Sequence, residues 1–560
     1  MKGNNIFFRL IYRLKPYRIH YIGLLFITLT GLALSLIQPI IWAKLISILF
    51  ERNIEYLVKI LISLGCLFIF MQIINFIQGI MQSYINVKLT CELQQEVFTK
   101  IQNSNLKYYE KYSSGEFTER IVRDINECIN TLINQIMPLI ISIIKVLVLL
   151  IIMFNMNIWL TFISIIILPF IYLISKNKSK CIQSEYIDYK KRNDLLMSFI
   201  QYSFKEFKNI KLFNMKDRQI ERFEISTNEI GSSYYRISRI GLVFQIIISF
   251  LSIISEFVIF IVGSILVISM KISIETFIAF TSYSQQLQQS FFSITGLVPQ
   301  LSKIKVSTKR IFDLIDNLEN NLDTFGEKCL SEFKGEISTD NICFRYHKDK
   351  KVLEDVTVKF NCNSTNVIMG NNGQGKTTLI NLLLKLYQPT KGNIYLDSID
   401  IRELSEKSIR ENICVVTQEN FLFNTSIREV LTSNDNWVTE LELDNVCEKL
   451  DILDFIKSLP NKYETIIEQN NGNFSIGQRQ KILIGRALLS KCKIIILDEP
   501  TSALDRSAKI KLKSLLSELK LKHTVIIISH DKDLIDDMDY HFELKDNSII
   551  QIISCVERGC

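Results

Sequence analysis

Residues 364–387 read STNVIMGNNGQGKTTLINLLLKLY. A run with β-branched residues leads into Gly370-Asn371-Asn372-Gly373-Gln374-Gly375-Lys376-Thr377-Thr378, and an apolar, helix-like pattern follows. This is G-x-x-x-x-G-K-[ST] in the strand–loop–helix setting that the motif needs. The glycines let backbone N–H groups close around phosphate oxygens, and the helix that follows adds the positive end of its dipole. Lys376 is expected to reach the β- and γ-phosphates, and the Thr377 hydroxyl to bind Mg²⁺. Residues 370–378 are therefore candidate nucleotide contacts.

A phosphate loop of this kind needs an acid on a second strand to hold Mg²⁺. The stretch 493–499, KIIILDE, supplies one. Its apolar run predicts a buried parallel strand, and Asp498 stands at the C-terminal end, where open α/β sheets bind ligands. Glu499 follows and is placed to polarise the attacking water.

Upstream the chain changes character. The whole sequence is 48% hydrophobic and 22% charged, with 35 Phe and 8 Pro among 560 residues, and its mean hydropathy is +0.19. That balance excludes disordered and collagenous chains and an ordinary set of soluble domains. A net charge of +7 without a basic block points away from nucleic acid. The apolar excess lies mostly before residue 305. Runs 21–43, 60–87, 146–175, 257–270 and 276–302 hold no Asp, Glu, Lys or Arg. Since about 20 apolar residues cross a bilayer as a helix, six spans are expected, near 21–46, 56–86, 133–154, 158–176, 240–269 and 274–300.

Basic residues orient these spans. Lys2, Arg9, Arg13, Lys15 and Arg18 precede the first one without an acid between them, and the long segments 88–127 and 177–239 are rich in Lys and Arg. The alternate loops, 47–55, 155–157 and 270–273, are short. Both termini and both long segments are expected in the cytoplasm of a cell bounded by its cytoplasmic (inner) membrane, and no cleavable signal is read. The long segments carry helical periodicity and should extend the membrane helices, with bends expected at Gly115 in YSSGEF and in 205–214, KEFKNIKLFN. No Cys-x-x-Cys spacing occurs among the 12 cysteines, which argues for reduced thiols rather than a disulfide framework or a zinc site.

With these residues in place, the chain resembles an ATP-binding-cassette (ABC) transporter of the exporter type, a half-transporter like those that export antimicrobial peptides or drugs from bacteria. The most specific element is NFSIGQRQKILIGRALL before the acidic strand, where Phe474-Ser475-Ile476-Gly477-Gln478 stands in the place of the family's Leu-Ser-Gly-Gly-Gln. The resemblance implies a multi-domain fold, an all-α six-span transmembrane domain (1–310), a linker (311–333) and an α/β P-loop ATPase, the ABC nucleotide-binding domain (334–560). It implies ATP and Mg²⁺ as ligands, with Tyr346 stacking on adenine and Gln418 contacting Mg²⁺ beside Thr377 and Asp498. It also implies His530 as the switch on the γ-phosphate, with Lys376 and Glu499 completing the catalytic set, and a dimer-interface loop at 502–505. Ser475, Gly477 and Gln478 would engage the ATP of a second copy, so a homodimer is implied. Ile476 departs from the family's glycine, and the stretch before the signature lacks a common Glu-Arg-Gly pattern. Ile476 is expected in an ordinary helical or extended conformation with its side chain away from phosphate.

The cargo leaves a fainter trace. Gln72, Asn75, Gln78 and Gln82 fall on one face of the second span, and Gln285, Gln288 and Gln289, beside Gln286, on one face of the sixth. Amides facing lipid would cost several kcal/mol each, so these face helices or a watered cavity. Neutral donors and acceptors suit peptide backbone. Because the first span opens near residue 21, no leader-trimming protease is expected ahead of it. Flipping of a lipid or hydrophobic drug and import of a metal chelate share the same architecture, whereas a soluble ATPase of the DNA-repair kind would lack the spans. Lys145 and Glu256, deep in the third and fifth spans, are expected to face the bundle interior, where they could pair.

Overall fold

The computed structural model describes residues 9, 12–13, 15–51, 53–112, 114–330, 332–346, 351–418, 421–433, 437–468, 474–502 and 506–552. Of the sequence features above, 503–505 of the interface loop and 469–473 before the signature lie outside them. The chain divides into two compact units, one of residues Met1–Gln102 and Tyr112–Asn320, the other of Asn103–Lys111 and Asn321–Cys560.

The first unit is helical. Long helices α1 (Arg18–Glu51) and α2 (Ile54–Gln102) pack side by side. After the short α3 (Leu106–Tyr109), which belongs to the other unit, α4 (Ser114–Thr118), α5 (Ile125–Thr131) and α6 (Met137–Met156) continue as one rod with π-helical stretches between them. Asn157 breaks it in an extended conformation, and its side chain caps α7 (Ile158–Ile166) by accepting from Leu160 N. Helices α8 (Leu168–Lys205), α9 (Phe207–Leu212), α10 (Lys216–Ile268) and α11 (Ile274–Glu319) follow. Among the described residues, five rods have the length and apolarity of membrane spans. The sixth, α11, is as continuous, but its run TSYSQQLQQS dilutes the apolar pattern.

That polar run is partly explained by a proline. Pro39 lies inside α1 and has no N–H, so the carbonyl four residues before it, Ser35 O, loses its helical donor. Gln286 Nε2 donates to that oxygen at 3.1 Å, and Tyr283 OH donates to the next carbonyl, Leu36 O, at 2.6 Å. Gln288 is buried and donates to Ser255 Oγ at 3.3 Å. The expected single stripe on the sixth span therefore splits: Gln286 and Gln288 turn inward to helix partners, while Gln285 and Gln289 stay exposed. On α2, Gln72 and Asn75 are exposed, and Gln78 and Gln82 half-exposed. Close packing elsewhere is tight, since a Cβ on Gly263 would lie 2.2 Å from the Phe277 ring. Lys145 and Glu256 are each half-buried, and no ion pair joins them among the described residues, so the possible pairing is not made.

The bend assigned to Gly115 is also corrected: Gly115 lies within α4, and the chain turns earlier, across Asn103–Lys111. Asn105 supplies the reason, because its extended backbone and side-chain oxygen cap α3 by accepting from Tyr108 N at 2.9 Å. The second bend falls within 205–214, where α8 gives way to α9 and Asn214 takes φ 54°.

The second unit carries two sheets. Strands β1 (Ile337–Phe344), β2 (Leu353–Phe360), β4 (Lys391–Leu396) and β5 (Ile399–Asp400) form an antiparallel sheet in the order β2-β1-β4-β5. The other sheet has β3 (Thr365–Met369), β6 (Ile413–Val416), β7 (Ile494–Asp498), β8 (Thr524–Ile528), β9 (Tyr540–Lys545) and β10 (Ser548–Ile552) in the order β10-β9-β3-β8-β7-β6, parallel except for β10. β7 and β8 are buried at every position, as their unbroken apolar runs require. Helix α12 (Lys376–Leu383) leaves the end of β3, and α13 (Ile476–Leu489) leads toward β7.

Candidate functional site

Parallel pairing brings the C-terminal ends of β3, β6, β7 and β8 to one edge of the sheet. From these ends follow the loop 370–378, Gln418, Asp498 with Glu499, and His530. Residues of the loop, Gln418 and the two acids border a cavity of about 550 Å³ whose walls include Tyr346, Lys376, Thr377, Gln418, Asp498 and Glu499, and His530 touches Lys376. Residues spread over more than 150 positions of sequence are thus brought to one place.

The loop owes its shape to glycine. Gly373 and Gly375 have φ of 83° and 98°, a region costly for any residue with a Cβ. Gly375 then caps α12, turning its first N–H groups toward the cavity. Gln374 braces the loop, its Oε1 accepting from Asn371 N at 2.8 Å. Asn372 and Thr377 are exposed, whereas Thr378 is buried.

Lys376 is almost wholly buried. Its Nζ donates to Gly370 O and lies 2.7 Å from His530 Nε2, which accepts when the ring carries its proton on Nδ1. Burial pushes the Lys376 amine below its ordinary value, while Glu499 and Asp498 pull the other way. Burial, and then the adjacent Glu499, push the Asp498 carboxyl up, and Lys376 partly offsets them. The Glu499 carboxylate lies 3.5 Å from His530 Nε2. Lysine, histidine and both acids therefore form one electrostatic unit in a site that partly excludes water, where charges act more strongly.

Glu499 has an unusual backbone, with φ 48°. A non-glycine residue there costs roughly 1–3 kcal/mol, and the proline that follows restricts it further. Its N–H donates to Ile528 O at 2.9 Å. Its carbonyl accepts from Ser502 N and from the side chain of Gln480, each at 3.2 Å. Gln480 belongs to no motif position read from the sequence. Its only signal was an amide on the apolar side of the signature helix, at a buried position.

Ser475 caps α13. Its Oγ accepts from Gln478 N at 3.2 Å while Gln478 Oε1 accepts from Ser475 N at 2.8 Å, a reciprocal box. Gln478 thus supports the helix start. Ile476 is the first helical residue and is 56% exposed, and Gly477 continues the helix. The Tyr346 hydroxyl is 3.1 Å from Thr378 Oγ1, and its ring stands edge-on to Tyr387 at 5.3 Å. Burial, then the Glu110 carboxylate that accepts its hydroxyl, raise the Tyr387 phenol.

Thr377, Gln418 and Asp498 offer hydroxyl, amide and carboxylate oxygens on one cavity, a donor set that fits a hard, small cation such as Mg²⁺. A carboxyl that burial and a neighbouring acid both hold up is also one that a bound cation would relieve.

Fold and site together define a membrane protein with its own P-loop ATPase. Residues 21–291 match the ABC transporter transmembrane region and residues 353–502 the ABC transporter ATPase family. The chain belongs to the ABC transporters, as a half-transporter of the exporter type. It is 26% identical over 534 residues to the ABC transporter ATP-binding protein YknV of Bacillus subtilis, covering 95% of this chain and 88% of that one. An ATP-dependent lipid A-core flippase of Syntrophus aciditrophicus is 26% identical, with 98% and 91% covered. A fatty acid ABC transporter ATP-binding/permease protein of Mycobacterium bovis is 25% identical, with 84% and 74% covered. A bacterial Atm1-family ABC exporter with ATP bound shares the fold at a TM-score of 0.80 and 19% identity, over 95% of this chain and 94% of that one. The protein is a membrane-embedded ATPase that couples ATP hydrolysis to transport.

Proposed function

We propose that two copies of this chain pair in the cytoplasmic membrane, termini on the cytoplasmic side, and export a peptide. Residues 1–310 form the membrane half and 334–560 the ATPase, joined through 311–333. Each ATP lies between the 370–378 loop of one copy and Ser475, Gly477 and Gln478 of the other, with its base against Tyr346. Lys376 neutralises the β/γ oxygens, Glu499 orients the attacking water and His530 contacts the γ-phosphate. Mg²⁺, when held by Thr377, Gln418 and Asp498, adds positive charge where the leaving group gains negative charge.

The peptide reading is carried by one observation. Gln72 and Asn75 stand exposed along a membrane helix, with Gln78 half-exposed on the same face, beside a shallow cavity of about 420 Å³ lined by Phe68, Ile69, Gln72, Ile73 and Phe76. Amides in lipid would be unsatisfied. Facing a shared, watered pathway, they offer hydrogen bonds to backbone amides while the flanking rings take apolar side chains. A second reading, flipping of a lipid, is favoured by the same apolar flanks and by the names of the flippase and fatty acid relatives.

Stimulated ATPase activity separates the two. The chain, reconstituted in lipid vesicles, is assayed with a panel of hydrophobic peptides and then with vesicles enriched in single lipids. Peptide-dependent stimulation that disappears in Gln72→Leu/Gln78→Leu supports export of peptide. Stimulation by lipid alone contradicts it.

A further inference from the structure

Glu499 holds its φ of 48° through three hydrogen bonds, of which two come from the backbone, Ile528 and Ser502. The third comes from a side chain. Gln480 Nε2 reaches Glu499 O from within α13, the helix that Ser475 caps. Gln480 is 1% exposed, and its own Oε1 has no partner. Turning the amide over would only set that oxygen against the Glu499 carbonyl, so the acceptor fixes which way it points. Packing does not account for a glutamine here, because an apolar residue of equal length would bury no unpartnered oxygen. What the amide adds at this place is one donor, aimed at the peptide that directs the Glu499 carboxylate.

We propose that Gln480 is a positioning residue for hydrolysis: it holds Glu499 in its left-handed conformation and ties that geometry to the signature helix of the same chain. The inference rests on the reading of Glu499 as the water-orienting group. Ser475 lies five positions before Gln480 on the same rigid helix, so a shift of its N-terminus is passed to the Glu499 carbonyl. Without the amide, ATP still binds, since Lys376 and the glycine loop are untouched, but the carboxylate loses its fixed direction. The loss falls on the chemical step.

The test uses the full chain in lipid vesicles at pH 8, with thermal midpoints recorded for each variant. Gln480→Met keeps length and burial and removes the donor, and Gln480→Leu removes it with a second apolar shape. Each is expected to lower kcat about tenfold or more with KM for MgATP within about twofold. In a Glu499→Gln background, Gln480→Met should change the residual rate less than about twofold, because the group it serves is already gone. A kcat within twofold of wild type in both variants overturns the proposal, and so does a KM that rises as steeply as kcat falls. A Glu499→Gln chain with wild-type turnover would instead remove the reading of Glu499 itself.

Discussion

The two halves of the chain differ in where their polar groups find partners. In the ATPase half, Lys376 reaches Gly370 O and His530, Ser475 and Gln478 cap each other, and Glu499 is held by three bonds, all within one copy. In the membrane half, Gln286 and Gln288 are bonded to neighbouring helices, yet Gln72, Asn75, Gln285 and Gln289 stand on the surface of a single copy. A catalytic site must be pre-organised by its own scaffold, because reorganisation during the reaction raises the barrier. A transport pathway is completed by what surrounds the chain, so its polar groups make sense only with a second copy, water or cargo.

The contrast breaks first at its strongest point. Glu499→Gln is expected to cut ATP turnover by about 10²-fold or more while leaving nucleotide binding intact, whereas Lys376→Ala weakens binding itself. Turnover and equilibrium binding of a labelled ATP analogue, measured side by side, check the split. Next comes the signature helix. Ser475→Ala removes a capping box, worth about 1 kcal/mol of stability, together with the hydroxyl proposed to face the partner's ATP, and should lower ATPase activity about tenfold or more. Ile476→Gly should change it less than about threefold, since Ile476 already sits in ordinary helix and removes no donor.

In the membrane half the expected effects are smaller and divide differently. Gln286→Leu leaves Ser35 O, already deprived of its helical donor by Pro39, without a partner, and should cost about 1 kcal/mol of stability. Gln72→Leu, on the exposed stripe, should leave the thermal midpoint unchanged and reduce only cargo-stimulated ATPase activity. If both substitutions destabilise alike, the division between inward and pathway amides is wrong.

The smallest expected effect on stability is at Asp498. Burial and Glu499 raise its folded-state pKa above the ordinary 3.8, so its stabilising share is present below that value and is lost as pH rises through the raised one. At neutral pH the ionised carboxylate is a cost. Asp498→Asn should therefore raise the thermal midpoint at pH 7 while abolishing Mg²⁺-dependent hydrolysis, and the gain should shrink toward acid pH. Thermal melts across pH, without added Mg²⁺, would show it.

Legibility followed the same division. The 370–378 loop, the acid pair at the end of β7 and the spans could be read because each is a local pattern with one geometric outcome. Tyr346, Gln418 and His530 were placed only by resemblance, since a lone tyrosine, glutamine or histidine carries no local signature; the parallel sheet gathers Gln418 and His530, while Tyr346 comes from the end of β1 in the antiparallel sheet. Gln480 escaped because its role depends on a backbone conformation at Glu499, which no pattern in 474–490 announces. Gly115 misled for the opposite reason. A glycine suggests a turn, but the cap at Asn105 had already made it. Lys145 and Glu256 were expected to pair because both are charges in apolar runs, yet sequence does not say which helix faces which.

The central claim is that each ATP site is shared between two copies, and mixing two inactive variants tests it directly. Co-reconstituted Glu499→Gln and Ser475→Ala chains form mixed dimers in which one site keeps both an intact Glu499 and an intact partner Ser475. With random pairing, about one quarter of wild-type ATPase activity should return, since half the dimers are mixed and one of their two sites is whole. A mixture as inactive as its two parents would contradict the account.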